Sequence, residues 1–262
     1  MPAPDLDLLI TAVREAGDIA CGYAKTGAKS WDKPGDQGPV TEADLAVNEA
    51  LHSQLTTARP EYGWLSEESD DTAARLNCKH VFIIDPLDGT RSFIEGAQTW
   101  AHSLAIAEDG QVKVAAVFLP LLDRLYTAVE GQGAFLNGAP IQVSDRVELT
   151  GASVLAASPN YRAMHWKEGA VPDVKQAYRP SLAYRMSLVA QGRYDAMLTT
   201  RDSWEWDIAA GDLITREAGG IVSDTRGAAL TFNNPHPKLK GVVAAGASVH
   251  GQITERLAGR PD

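Results

Sequence analysis

Val81-Phe-Ile-Ile-Asp-Pro-Leu-Asp-Gly-Thr-Arg-Ser-Phe93 is the stretch on which the reading of this 262-residue chain turns. Val81–Ile84 is a short apolar, β-branched run that predicts a buried strand. It leads straight into Asp85-Pro86-Leu87-Asp88-Gly89-Thr90, where Pro86 stiffens the turn and Gly89 lets the backbone approach another group closely. Outward from this point the patterning is mixed. Leu9, Ala12, Val13, Ala16, Ile19, Ala20 and Tyr23 form a helical stripe, and a Gly/Pro/Asp-rich loop runs from about Thr26 to Pro39. A second helix starting at Thr41 carries Val47, Leu51 and Leu55 inward. Strands are expected at 101–107 and 112–118, forming a hairpin, and at 124–129 and 134–136, before the Asn137-Gly138 turn. Beyond residue 145 strands and helices alternate: a strand near 153–157, a helix from Ser181 to Gln191, a strand at 194–199, a helix from Asp207 to the Gly219-Gly220 stop, and a strand at 242–245. A last helix is expected to be capped by Ser248. The fold class is α/β, with an α+β lobe over 1–145 and an α/β lobe over 146–262.

Two carboxylates three residues apart at a strand end repel each other, and a dication between them relieves that repulsion. Mg²⁺ takes oxygen ligands, commonly one or two carboxylates with waters and phosphate oxygens. The carbonyl of Leu87 adds a neutral ligand, and the amides that open a helix at Gly89-Thr90 suit a phosphate. Three further acids invite the same reading, each with an ordinary alternative. Glu67, beside Glu68, also suits a surface loop. Asp207, in Trp204-Glu205-Trp206-Asp207, also suits the first turn of a helix. Asp44 also completes a capping box with Thr41.

Other chemistries lack their signatures. There is no GxxxxGK[ST] loop, no EF-hand spacing, no HExxH and no GxSxG elbow. The DxxDGT spacing is one residue longer than the DxDGT of haloacid-dehalogenase phosphatases. A formal net charge of −10 argues against binding a nucleic acid polymer. Cys21 and Cys78 form no metal or disulfide pattern. No leader-like segment or membrane anchor is evident, so a cytoplasmic protein is expected.

The ordered set VTEAD (40–44), LSEES (65–69), IIDPLDGTRSF (83–93), YTAVEGQGAFLNG (126–138) and WDIAAGDLITREAGG (206–220) resembles the motifs of the inositol monophosphatase superfamily. The resemblance runs from about residue 7 to 258. It implies the layered fold of those sugar phosphatases and a Mg²⁺-dependent, lithium-sensitive phosphomonoesterase acting on a small phosphorylated metabolite. Glu67, Asp85 and the Leu87 carbonyl correspond to ligands of one Mg²⁺. Asp85, Asp88 and Asp207 correspond to ligands of a second, and analogy places a third near Asp44 and Glu67. Glu67 and Thr90, with Asp44 behind Thr90, correspond to the water-activating groups, and Gly89 and Thr90 to the phosphate donors. A homodimer is the state to which the family leans.

Within the superfamily, the inositol branch carries Glu seven residues before the Trp-Asp aspartate, where this chain has Thr200. The Glu-Trp-Asp run at 205–207 and the Ser181–Tyr184 segment are closer to bacterial 3'(2'),5'-bisphosphate nucleotidases. Arg91, Arg185 and Arg201 are candidates for a second phosphate. The expected activity is hydrolysis of adenosine 3',5'-bisphosphate to AMP. Inositol-1-phosphate and, from DGTRSF, histidinol phosphate are the alternatives. A metal-binding scaffold without activity is the alternative outside enzymology.

Overall fold

The computed structural model describes residues 4–35 and 38–258. Helix α1 (Asp5–Thr26) is amphipathic as its spacing predicts, with Leu9, Ala12, Val13, Ala16 and Ala20 buried. The loop expected to follow holds a small antiparallel hairpin, β1 (Ser30–Asp32) with β2 (Pro39–Thr41); Asp36 and Gln37 lie outside the described residues. Its three-residue strands are too short to leave a periodic signal in the sequence. Helix α2 (Glu42–Ala58) opens on Thr41 with a complete capping box, Asp44 bonding back to the Thr41 amide.

The next elements are β3 (Gly63–Ser66), β4 (His80–Asp88), a one-turn α3 (Thr90–Ile94), β5 (Ala101–Glu108), β6 (Gln111–Leu119), β7 (Arg124–Val129), β8 (Ala134–Leu136) and β9 (Ala139–Ile141). They form one seven-stranded sheet in simple sequential order, antiparallel except where β3 runs parallel to β4. The second half adds β10 (Ser153–Leu155), β11 (Lys175–Ala177), α4 (Leu182–Ala190), β12 (Ala196–Thr199), β13 (Ser203–Trp204), α5 (Glu205–Glu217), β14 (Ile221–Ser223), β15 (Lys238–Leu239), β16 (Val242–Ala245) and α6 (Ala247–Arg256). Five of these strands make a second, mixed sheet in the order β11-β10-β12-β16-β14. Helix α6 begins directly after Gly246, so Ser248 lies inside its first turn and is not its cap. Helix α5 begins two residues before the expected Asp207.

The layers follow from the strands' alternation. On β4, Phe82 and Ile84 pack toward α1 and α2, while Val81 and Ile83 join the cluster that surrounds α4 and α5. Helices α4 and α5 lie between the two sheets, and α6 packs on the outer face of the second with Val249, Ile253 and Leu257. The sheets come from separate stretches, 63–141 and 153–245. The central apolar cluster draws on both, from Leu65 to Ala244. This common layer puts the start of α5 beside the end of β4.

Candidate metal centre and active site

Pro86 shapes the site. Strand β4 pairs with β5 through Asp85 opposite Ser103, and pairing resumes at Asp88 opposite Ala101. Three steps on β4 thus face two on β5, which is a bulge of one residue. Proline has no N–H for the ladder and favours such a break. In a regular strand, residues three apart point to opposite faces. The bulge brings Asp85 and Asp88 onto the same face, the one that carries α4 and α5. Gly89 follows with φ +101°, a left-handed conformation that a side chain would strain, and turns the chain into α3.

Glu67 lies one residue beyond β3, its amide bonded to the Ile84 carbonyl at 3.2 Å, so the β3–β4 pairing carries it alongside Asp85. Asp207 enters from the first turn of α5, whose position is tied to the sheet by the Ser103 hydroxyl on the Trp206 carbonyl at 3.1 Å. Carboxylate oxygens of Glu67, Asp85 and Asp207 all lie within 4.8 Å of one another. Burial, followed by repulsion from Glu67, Asp88 and Asp207, pushes the Asp85 carboxyl well above the usual range, and the Leu87 amide opposes this in part. Asp207 is raised by burial and then by Asp88 and Glu67. Three oxygens this close, with only Lys33 set against their charge, fit a hard, oxygen-loving dication.

Asp88 lies beside this group but is held differently. Its Oδ2 accepts from the Ser181 hydroxyl at 2.6 Å and the Ala183 amide at 2.7 Å, at the start of α4. Burial raises it to about 6, against the pull of these donors and of the Arg185 charge. Both readings of Asp44 hold together. Oδ2 takes the Thr41 amide at 2.9 Å, and Oδ1 takes the Thr90 hydroxyl at 3.1 Å. The same hydroxyl is 3.2 Å from the Leu87 carbonyl.

Several neighbours carried no signal of their own in the sequence. Lys33, in the loop between β1 and β2, pairs with Glu67 at 2.8 Å and with Glu68 at 2.6 Å. Burial, then the Glu67 charge, lifts Glu68 to about 7. The amide of Asn48 in α2 donates to the Glu68 carbonyl at 3.1 Å and accepts from the Ser66 hydroxyl at 2.7 Å, fixing the backbone on either side of Glu67. His102 on β5 is fully buried against the Pro86 carbonyl. Burial drops it to about 4, so it stays neutral and braces the bulge. A lysine in a Gly/Pro-rich loop or a histidine within a strand has no local pattern that marks it. Cys21 and Cys78 are free thiols.

A layered α/β body carries an acidic cluster at the ends of β3 and β4 and the start of α5 that could hold a metal ion. The model of the inositol monophosphatase family matches residues 2–260. The chain belongs to that family, which is one of phosphatases. It is 33% identical over 254 residues to an inositol-1-monophosphatase of Mesorhizobium japonicum, covering 93% of this chain and 92% of the relative. It is 32% identical over 266 residues to the Nus factor SuhB of Escherichia coli (strain K12), covering 97% and 98%. The solved structure of the extragenic suppressor protein suhB from Bartonella henselae superposes with a TM-score of 0.82 at 28% identity, covering 97% of this chain and 98% of that one. An IMPase from Thermotoga maritima gives 0.81 at 28% identity, with 96% and 95% covered. Among the described residues, no helix is long and apolar enough to cross a membrane.

Proposed function

We propose that this chain is a Mg²⁺-dependent phosphomonoesterase of small soluble metabolites, most specifically a 3'(2'),5'-bisphosphate nucleotidase. The carrying observation is the trio of carboxylates within 4.8 Å, flanked by Asp88 and by the Thr90–Asp44 pair. Glu67, Asp85, the Leu87 carbonyl, Asp88 and Asp207 would hold two Mg²⁺ ions, with a third near Asp44 and Glu67. Bound Mg²⁺ supplies charge neutralisation at the phosphate and lowers the pKa of water.

The chain's own groups then have distinct tasks. Thr90 donates its hydroxyl proton to Asp44, which leaves the Oγ1 lone pairs free to accept from a water. Glu67 takes that water's proton as it attacks phosphorus. The amides of Gly89 and Thr90 bind phosphate oxygens. In-line attack forms the new P–O bond as the ester P–O bond breaks, and the proton taken by Glu67 returns through solvent to the departing oxygen, giving the alcohol and restoring the carboxylate.

Two features bear on the substrate: one weakens the inositol reading and the other supports a second anionic group. Thr200, at the position where a ring-binding Glu would stand, is buried and turned away, its amide and hydroxyl both on Asn160 Oδ1 at 2.7 and 3.0 Å. Arg185 is a buried cation whose charge reaches Asp88. Among the described residues it is held by backbone carbonyls of Arg179 and Pro180 and by the Tyr178 ring at 4.5 Å, and no carboxylate pairs with it. The names of the Mesorhizobium relative and of an inositol-1-monophosphatase of Rhizobium meliloti, 34% identical over 232 residues, favour a second reading, inositol-1-phosphate.

The test is phosphate release from adenosine 3',5'-bisphosphate, inositol-1-phosphate and histidinol phosphate with Mg²⁺, with EDTA, and with added lithium. The expected result is turnover that EDTA abolishes, lithium inhibits and the bisphosphate wins. Metal-independent turnover, or none on any substrate, overturns the reading. A preference for another ester replaces the substrate and keeps the class.

A further inference from the structure

Glu67 and Asp207 lie 140 positions apart in the chain and come from different layers, so something must set the distance between their elements. A polar network, buried at Arg75 and Glu205 and exposed at Asp71, joins the segment after Glu67 to α5. Glu205, the first residue of α5, is fully buried. Its carboxylate accepts from the Asn233 amide at 2.6 Å, the Asn234 amide at 2.9 Å and the Asn234 side chain at 2.7 Å. Its own amide donates to the Pro237 carbonyl at 3.0 Å. The 233–237 segment is thereby wrapped around the helix start, two residues from Asp207.

The same segment is gripped from the other side. Arg75, 2% exposed, donates Nη1 to Asn233 Oδ1 at 2.6 Å and Nη2 to the Asn234 carbonyl at 2.9 Å. Its Nε and Nη2 form a fork on Asp71 at 2.6 and 2.8 Å. Asp71 lies four residues after Glu67, and both border a cavity of about 290 Å³ whose far wall is Trp204, Trp206 and Pro235–Pro237. The connection thus runs from the Glu67 loop through Asp71, Arg75, Asn233 and Asn234 to Glu205 and the Asp207 turn.

Buried ionic groups seldom hold a fold together better than apolar ones of similar size would. What a fully satisfied network adds is direction and fixed separation. We propose that Glu205, Arg75 and Asn233 are positioning residues that set the Glu67–Asp207 spacing and thereby the affinity of the centre for its divalent cation. The inference rests on the metal reading above and concerns groups outside the ligand set.

The experiment is calorimetric titration of the full chain with MgCl₂, for the native protein and for Asn233→Gly, Glu205→Gln and Asn233→Asp. Asn233 has φ +61°, a conformation glycine adopts freely. Asn233→Gly therefore removes the side-chain link to Arg75 without straining the backbone, and its folding is checked by its Tm. Outer-shell partners of metal sites typically govern affinity by about 10–100-fold. Asn233→Gly and Glu205→Gln are expected to raise the Mg²⁺ Kd by about tenfold or more, with turnover recovering as Mg²⁺ is raised. Asn233→Asp keeps an acceptor for Arg75 and is expected to restore most of the affinity. Native-like Kd in Asn233→Gly, with only a lower Tm, would overturn the proposal and leave the network a structural fastening. A native protein that binds no Mg²⁺ would overturn the metal reading itself, a distinguishable failure.

Discussion

Asp207→Asn should make the metal-free protein more stable while removing most of its response to Mg²⁺. Two unit charges 4.8 Å apart repel by about 3.5 kcal/mol at an effective dielectric constant of about 20, and Asp207 faces two such partners, Glu67 and Asp85. The native protein escapes part of this by keeping a proton on Asp85 or Asp207, both of which are raised. A net relief of about 2 kcal/mol is therefore expected, after allowing about 0.3–1 kcal/mol for the acid lost from the first turn of α5. For a chain of this size that is an increase in Tm of about 4–8 °C. The asparagine is isosteric and its side-chain oxygen can still accept the backbone hydrogen bond from Trp204.

The sign with pH is fixed by linkage. A carboxyl whose folded-state pKa lies above its unfolded value holds its proton more tightly in the native state, so native stability declines as pH rises from the ordinary value through the raised one. In EDTA the native protein should lose stability from roughly pH 4 upward, where carboxylates ordinarily ionise. The loss continues through the values of about 6 for Asp88 and about 7 for Glu68. The two proteins should have similar Tm at pH 5 and separate by pH 8. Added Mg²⁺ should reverse the order, since tight binding to the native state alone adds about 2.7 kcal/mol at one hundred times Kd. Scanning calorimetry at pH 5 and pH 8, in EDTA and in saturating MgCl₂, reads all four conditions. An Asp207→Asn Tm at or below native in EDTA at pH 8, or an undiminished Mg²⁺ increment, would refute the electrostatic account of the cluster.

Three further outcomes follow from particular contacts. Asp88→Asn should abolish phosphate release while circular dichroism stays native; near-normal turnover would remove Asp88 from the ligand set. Thr90→Ala should lower kcat by about a hundredfold, the low end of what a positioned proton-transfer group contributes, with a much smaller change in Mg²⁺ Kd by calorimetry. Gly211→Ala should destabilise by about 1–3 kcal/mol, because a β-carbon there meets Met186 Cβ at 2.7 Å and Sδ at 2.8 Å. Urea denaturation measures that loss, and an unchanged midpoint would mean that α4 and α5 are free to separate.

The site was more legible in the sequence than its supports, for a physical reason. The candidate acids sit at element ends, most of them with turn chemistry attached: Pro86 and Gly89 around Asp85 and Asp88, the capping box around Asp44, the first turn of α5 for Asp207. Such signals are local and survive in one dimension. The longer strands were legible too, because β5, β6 and β7 are long enough to be apolar runs bounded by turns. Strand β3 was not: four residues after a helix break carry no period, and only the parallel pairing with β4 makes Glu67 a neighbour of Asp85. Lys33, Asn48 and the Arg75–Asn233 and Glu205–Asn234 contacts were invisible for the same reason, since each joins residues far apart in the chain through a bond that neither partner announces. The bulge is the intermediate case. Pro86 pointed to a rigid turn, but that the turn would move Asp88 onto the face of Asp85 depends on the register with β5, and register is a property of the pair of strands. Local chemistry therefore marked the candidate acids, while their mutual spacing is a tertiary quantity. That division is why the proposed spacing is tested at groups such as Asn233, which carry no chemistry themselves.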